Sequence, residues 1–382
     1  MILPKANANE AASVSELDII PISTIKELVE YLNKEKEIKK YVAKNIEFKE
    51  NYGIDFSEVK GQENVRRALE ITAAGGHNCI MIGSPGSGKT MMAKRLVTIL
   101  PELTIEEAME VTKIHSISGE LERDGIIMNR PFRMPHHTVP INTMIGGGKI
   151  PRPGEISLAH CGVLFLDELT EFNRNILESL REPLENREIT INRLNGNYRY
   201  PCNFMFVASM NPCPCGYYGD EEKECRCTPQ EIHRYLRKIS GPLLDRIDIQ
   251  VEVQRPKYKK IFSKEKVENS AIIQERVNRA RQIQLNRYRK YQIHSNAEIT
   301  TKMIAQFCRL DNEGEELLQN AFKRFKLSVR AYEKILKVAR TIADLDGKEN
   351  IEVKHIAEAI QYRCLDKFSL QEEVKKYGTS FN

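Results

Sequence analysis

Three short apolar runs stand out in the first part of the chain: Cys79 to Ile82 (CIMI), Val163 to Leu166 (VLFL) and Phe204 to Ala208 (FMFVA). Each is β-prone and bounded by Gly, Asn or Pro, as strands buried on both faces should be, and the segments between them read as helical. Phe56 to about Arg255 therefore predicts an α/β core with a parallel sheet. Beyond Pro256 the strand signals vanish. Apolar residues at helical spacing recur in Lys264 to Lys290, Thr300 to Arg309, Glu313 to Phe325, Val329 to Leu345 and Val353 to Arg363, separated by short polar turns, which predicts an all-helical second domain. Glu188 to Tyr200 (EITINRLNGNYRY) alternates on both sides of Asn195-Gly196 and predicts a β-hairpin. Near the start, Ser23 as N-cap and Ile25, Leu28, Val29 and Leu32 at helical spacing predict one amphipathic helix. The Lys/Glu-rich stretch Lys34 to Asn51 predicts a solvated linker or exposed helix.

Composition changes this picture little. Hydrophobic residues at 41% and charged residues at 29% exclude wholesale disorder, and a formal charge of +5 is too mild to name a partner. No stretch approaches the roughly 20 apolar residues of a membrane helix, and Met1 to Ala12 lacks the parts of a signal peptide, so no membrane association and a cytoplasmic location are expected. Nine cysteines are too few for a disulfide scaffold at this length. Cys79, Cys161, Cys202, Cys308 and Cys364 are scattered and read as core filler. Cys213, Cys215, Cys225 and Cys227 instead flank one polar loop, a number and clustering suited to tetrahedral Zn²⁺. Their C-x-C spacing is tighter than usual for zinc, which leaves reduced thiols bracing a loop, or a redox pair, as alternatives.

The strongest chemical signal is Gly83 to Thr90, GSPGSGKT, which follows the run CIMI and opens a helix. This is a P-loop in its proper context, and it implies ATP and Mg²⁺. Gly83, Ser84, Pro85, Gly86, Ser87 and Gly88 would wrap phosphates with backbone N–H groups, Lys89 would meet the β and γ phosphates, and Thr90 would offer its hydroxyl to Mg²⁺. The second run ends in Asp167-Glu168 at a strand's carboxyl end, where ligands of open α/β sheets bind. Asp167 would hold Mg²⁺ and Glu168 would polarise the attacking water; acids capping a helix would look similar. The third strand ends at Ser209-Met210-Asn211, and Asn211 would sense the γ-phosphate, although an Asn after a strand is also an ordinary turn residue.

The runs PFRMPHHT (Pro131 to Thr138), GGG (Gly146 to Gly148), PRPGEISLAHCGVLFLDEL (Pro151 to Leu169), SMNPCPCG (Ser209 to Gly216) and GPLLDRID (Gly241 to Asp248) closely resemble the ComM/YifB group of Mg-chelatase-like AAA+ ATPases. The resemblance covers essentially the whole chain. It implies that Gly61 and Gln62 lie near the adenine, that Arg246 is an arginine finger reaching a neighbouring subunit's ATP, and that Arg330 is the lid's sensor 2. Arg246 could instead be a surface ion pair with Asp245 or Asp248. The family forms hexamers, so a ring of this chain is expected. In these terms residues 1–35 are the remnant of an amino-terminal Lon-protease-like domain that is otherwise absent, 36–55 a linker, 56–255 the AAA+ ATPase core, 256–366 the helical lid and 367–382 a tail.

Similarity to the pore hairpins of AAA+ helicases makes Arg193, Asn195 and Arg199 candidates for contacting single-stranded or branched DNA, against a merely solvated hairpin. The insertion Pro131 to Pro153 reads as a second loop near the pore. Its His136 and His137 should point apart as on a strand, which argues against a metal there. Arg276, Arg279, Arg281, Arg287 and Arg289 crowd one helix, either as a solvated face or as a track for DNA. The expected function is a ring-forming ATP-hydrolysing DNA translocase or branch-migration helicase in recombination or natural transformation. A metal-chelatase-type motor subunit or a protein-remodelling ATPase is the alternative, and a nucleotide-binding fragment without activity a third.

Overall fold

The computed structural model describes residues 1–11, 17–41, 53–121, 126–148, 150–193, 196–255, 267–291 and 293–363. Internal contacts divide the chain into two compact units, Met1–Asn51 with Glu102–Arg130, and Tyr52–Pro101 with Pro131–Asn382. Glu102–Arg130, inside the stretch read as core, thus groups with the amino-terminal segment. The sheet and the helical region share the second unit.

In the first unit β1 (Ile2–Pro4) pairs in parallel with β2 (Ile20–Ile22). Helix α1 (Ile25–Leu32) begins one residue later than expected. Thr24, not Ser23, is its N-cap, accepting from the Glu27 N–H at 3.2 Å, while Ser23 N–H donates to the Glu27 carboxylate at 2.8 Å. A helix over Ile105–Ser118 is closed by a capping box between Thr104 and Glu107 and by Gly119 in the left-handed region, φ +82°. Arg130 holds the Glu107 carboxylate at 2.9 Å.

The second unit is built on a five-stranded sheet. In chain order its strands are β3 (Cys79–Gly83), β4 (Phe132–Arg133) and β5 (Val163–Leu166), then the separate hairpin β6 (Glu188–Arg193) and β7 (Gly196–Pro201), then β8 (Met205–Met210) and β9 (Ile249–Val253). The sheet order is β9-β3-β8-β5-β4 and every pairing is parallel. The apolar runs are continuous because both faces are covered. Cys79, Met81, Val163, Phe165, Met205 and Val207 join one core cluster. Their neighbours Ile80, Ile82, Leu164, Leu166, Phe206 and Ala208 join another on the opposite face.

Helix α2 (Glu63–Gly75) precedes β3, and α3 (Lys89–Arg95) follows it. The carboxyl-terminal helices are α4 (Ser270–Tyr288), α5 (Thr301–Phe307), α6 (Asn312–Phe325), α7 (Val329–Leu345) and α8 (Val353–Gln361), so the α/β core followed by a helical region is as the sequence suggested. Val277 and Ala280 of α4 and Ile335 and Leu336 of α7 bury themselves in the same cluster as Leu69 and Ile71 of α2 and one face of the sheet. Two strands of the five-stranded sheet escaped the pattern. β4 is two residues, too short for any periodicity, and it turns part of the expected 131–153 loop into a sheet edge. β9 (IQVEV) alternates in sequence, but only Glu252 is exposed: Ile249, Val251 and Val253 are buried, and so is Gln250, whose N–H donates to the Tyr362 carbonyl at 2.8 Å.

Three arginines of the run on and just after α4 are committed to partners, while Arg279 and Arg289 remain exposed. Arg276 pairs with Glu70 at 2.6 Å and with Glu268 at 2.8 Å, Arg281 donates to the carbonyls of His294 and Ala73, and Arg287 pairs with the buried Asp344. Arg279 is exposed beside Glu275. A second buried charge joins the helices to the sheet. Asp248, just before β9, accepts from the Asn78 N–H at 2.9 Å and ion-pairs with Lys334 of α7, while His77 Nδ1 lies 3.5 Å away. Burial alone would raise the Asp248 carboxyl, but the Lys334 ammonium and His77 hold it far below the usual carboxylate range. Lys334→Met would strand that buried charge and should lower the unfolding free energy by about 3–5 kcal/mol. Urea denaturation checks this, and adding Asp248→Asn to the same chain should recover most of the loss.

Candidate functional site

Because β8 is inserted between β3 and β5, the carboxyl ends of three parallel strands lie side by side, with Met210 opposite Ile82 and Ala208 opposite Leu166. Each strand delivers its polar residues to that edge. From β3 the chain passes through Ser84–Gly88 into α3. Gly83 is required by close approach, since a Cβ there would sit 2.2 Å from the Val253 carbonyl oxygen of β9. Gly86, at φ +79°, takes the left-handed turn that lifts the loop, with open space where a Cβ would be.

Lys89 is buried in this cradle. Its ammonium donates to the carbonyls of Gly83 at 2.7 Å and Ser84 at 3.0 Å and to Asn211 Oδ1 at 3.2 Å. Burial lowers its pKa to about 8, against the pull of the Asp167 and Glu168 carboxylates. Thr90 Oγ1 donates to Asp167 Oδ2 at 2.6 Å, and the Ser209 hydroxyl donates to the other Asp167 oxygen. The Glu168 N–H reaches Asp167 Oδ1 at 3.1 Å and Ser209 Oγ at 3.3 Å, which fixes Glu168 in the left-handed region at φ +53° with its side chain exposed. An ammonium amid main-chain carbonyls beside an open glycine turn suits a polyphosphate. The all-oxygen pair Thr90 and Asp167 could hold a hard divalent cation. Gln62, expected near the adenine, buttresses the loop: its amide donates to the carbonyls of Ser87, at 3.5 Å, and Gln254. Gly61 precedes it at φ +70°.

Sequence reasoning missed Arg255, Asp220 and Tyr217. Arg255 donates to Ser84 Oγ at 3.3 Å and to the Pro85 carbonyl at 3.0 Å, lies 3.5 Å from the Asp220 carboxylate, and sits over the Tyr217 ring. A hydrogen bond to Ser84 lowers the Asp220 pKa. No local pattern marks these residues, because their partners are distant in the chain.

Arg246 and Arg330 lie elsewhere. The Arg246 carbonyl accepts from Asn78 Nδ2 at 2.9 Å, at the amino end of β3. The phosphate-loop residue Ser84 is six residues further along that extended strand, about 20 Å away at about 3.3 Å per residue. The guanidinium pairs with Glu185 and donates to the Pro242 carbonyl at 2.6 Å, and its buried Nε has no hydrogen-bond partner among the described residues. The alternative reading of an ion pair thus finds Glu185 as its partner rather than Asp245 or Asp248. Arg330, at the start of α7 and 58% exposed, stands 3.9 Å from Asp245 on the same edge.

Cys213, Cys215, Cys225 and Cys227 converge, with every pair of Sγ atoms within 4.8 Å. Cys213 Sγ is 3.3 Å from Cys215 Sγ and 3.7 Å from Cys225 Sγ, and Cys215 Sγ is 3.6 Å from Cys225 Sγ, all as free thiols. Burial raises the Cys215 thiol, but N–H groups of Tyr217 and Arg226 and the thiols of Cys213 and Cys227 outweigh it and bring it to about 6.

The hairpin β6–β7 forms in the expected register, Glu188 opposite Pro201 through Arg193 opposite Gly196. Ile189, Ile191 and Tyr200 anchor it, Tyr200 Oη donating to the Pro151 carbonyl at 2.9 Å, while Asn197, Tyr198 and Arg199 are exposed. Asn195 lies outside the described residues, and Arg193 is placed by its backbone at the end of β6. His136 and His137 occupy a turn rather than a strand, and their rings come to 4.1 Å instead of pointing apart.

Comparison with known proteins agrees with this arrangement. The family described as magnesium chelatase, subunit ChlI, matches residues 55–261, and that subunit's C-terminal family matches residues 267–363. Competence protein ComM of Haemophilus influenzae is 43% identical over 373 residues, covering 96% of this chain and 72% of ComM. The uncharacterized protein YifB of Escherichia coli is 47% identical over 315 residues, covering 82% of this chain and 61% of YifB. The magnesium-chelatase 38 kDa subunit of Rhodobacter capsulatus is 28% identical over 222 residues, covering 53% of this chain and 56% of that subunit. No described helix is long and apolar enough to cross a membrane. With its sheet order, its phosphate-type loop and these matches taken together, the chain belongs to the ComM/YifB family of magnesium-chelatase-like AAA+ ATPases.

Proposed function

We propose that the chain is an ATP-hydrolysing motor subunit that works as a ring and acts on DNA, remodelling branched or single-stranded substrates. One observation carries the ring: Arg246 stands at the sheet edge opposite its own phosphate loop, so it can serve only a nucleotide held by a second copy. Lys89 grips the β and γ phosphates, Thr90 and Asp167 hold Mg²⁺, Glu168 orients and polarises the attacking water, and Asn211, already bound to Lys89, registers the γ-phosphate. Bound Mg²⁺ neutralises charge on the phosphates. Arg246 of one subunit enters its neighbour's site when the Glu185 pair opens, and Arg330 on the same edge acts beside it. Six subunits follow the family pattern.

DNA as substrate is supported by the exposed Asn197, Tyr198 and Arg199 on an anchored hairpin and by the likeness to a competence protein. The likeness to a chelatase subunit supports the second reading, a motor that drives a partner enzyme. Stimulation of ATP hydrolysis by forked DNA favours the first reading; hydrolysis indifferent to DNA favours the second.

Arg246→Ala should lower ATP turnover by about 10³-fold or more while ATP still binds, and Lys89→Ala should be inactive through lost binding. Mixing the two dead variants should restore turnover, since interfaces that join the intact loop of one to the intact Arg246 of the other are complete. A mixture as inactive as its parts would remove the trans assignment. On the hairpin, Arg199→Ala should weaken single-strand binding and reduce the slope of log affinity against log salt by about one, and Tyr198→Ala should cost about 1–3 kcal/mol of binding through lost stacking. Fluorescence anisotropy over a salt series measures both.

A further inference from the structure

We propose that Cys213, Cys215, Cys225 and Cys227 bind one structural Zn²⁺, and that this ion braces the phosphate loop from the side. Zinc–thiolate bonds of about 2.3 Å in a tetrahedron put sulfurs about 3.8 Å apart. The separations of 3.3, 3.6 and 3.7 Å lie just below that figure, within half an ångström of it. Four sulfur donors and no oxygen exclude Mg²⁺ or Ca²⁺ and select a soft tetrahedral centre. All four sulfurs within 4.8 Å fit a single ion; a cluster would spread its cysteines over two or more irons. Four protein ligands leave no open position, which makes the site structural rather than catalytic. Backbone N–H groups already point at the sulfurs, Cys215 N–H to Cys227 Sγ and Cys227 N–H to Cys225 Sγ, both at 3.4 Å. Such contacts stabilise thiolates around a metal.

The loop between the two cysteine pairs has turn hydrogen bonds but no apolar core of its own. From Tyr217 to Thr228 no residue is buried, and no helix or strand forms. Small elements without a core need a staple, and a metal is one of the few available. This loop is also the wall of the phosphate cradle. Gly216, at φ +84°, packs so tightly that a Cβ would lie 2.6 Å from Pro85 Cδ. Asp220 binds Ser84, and Arg255 ties Asp220 to both Ser84 and the Pro85 carbonyl. Asn211, which holds Lys89, is two residues before Cys213. An ion at the cysteines thus fixes both the strand end that carries Asn211 and the outer side of Ser84–Pro85.

The bracing rests on reading Gly83–Thr90 as a nucleotide cradle; the metal site does not. The full chain, purified without chelator under reducing conditions, should contain about one zinc per chain by elemental analysis. Replacing the ion with Co²⁺ should give the visible spectrum and thiolate charge-transfer band of a tetrahedral tetrathiolate. Cys225→Ser with Cys227→Ser should abolish both, and should that variant fail to fold, the wild-type cobalt spectrum decides alone. Zinc below about half per chain, iron in its place, an octahedral cobalt spectrum, or a disulfide within the cluster overturns the site. For the bracing, Asp220→Ala should keep its zinc yet bind a fluorescent ATP analogue about five- to tenfold more weakly, the loss of one or two hydrogen bonds. Unchanged affinity overturns the bracing and leaves the metal standing. Zinc-loaded wild-type protein that binds no nucleotide overturns the cradle reading itself.

Discussion

Every strand pairing in the central sheet is parallel, and this direction organises the chemistry. Parallel strands present all their carboxyl ends at one edge and all their amino ends at the other. The order β9-β3-β8-β5-β4 then sets the phosphate loop, Asn211 and the Asp167-Glu168 pair shoulder to shoulder, though they come from segments far apart in the chain. Arg246, Asp248 and Arg330 are consigned to the other edge. In the ring proposed above, the phosphate-binding rim of one subunit would face the rim of its neighbour that carries Arg246 and Arg330, a head-to-tail contact.

Much of this was legible from residues alone, for identifiable reasons. The phosphate loop is a contiguous string whose meaning depends on a strand before it and a helix after it, so local pattern suffices. The central strands announced themselves by continuous apolar runs because helices cover both faces. Edge strands did not: the polar Gln250 and Glu252 interrupt the apolar run of β9 although Gln250 is buried, and β4 is too short to register. The α4 arginines looked like a surface stripe because their partners, Glu70 and Asp344, come from other helices. The same limit hid Arg255 and Asp220. The four cysteines were visible as a cluster, but only the fold shows that their loop leans on Pro85.

The buried charges have a structural logic of their own. Asp344 is shared among Arg287, Arg340 and the Asn296 amide, and Asp248 among Lys334, His77 and the Asn78 N–H. Removing one partner from such a group leaves a charge that nothing else solvates, so the Asp344 network fixes α4 against α7 and the Asp248 network fixes α7 against the sheet.

Asp248 lies two residues after Arg246, and Lys334 lies one helical turn after Arg330. The ion pair between them is therefore a short strut joining the roots of the two arginines. In the proposed ring neither can be presented without the other, because a shift of α7 against the sheet must first break the strut. Two positive charges would then arrive at a neighbour's nucleotide as a single event. A subunit interface of this design has a closed setting and an open one, and little between them.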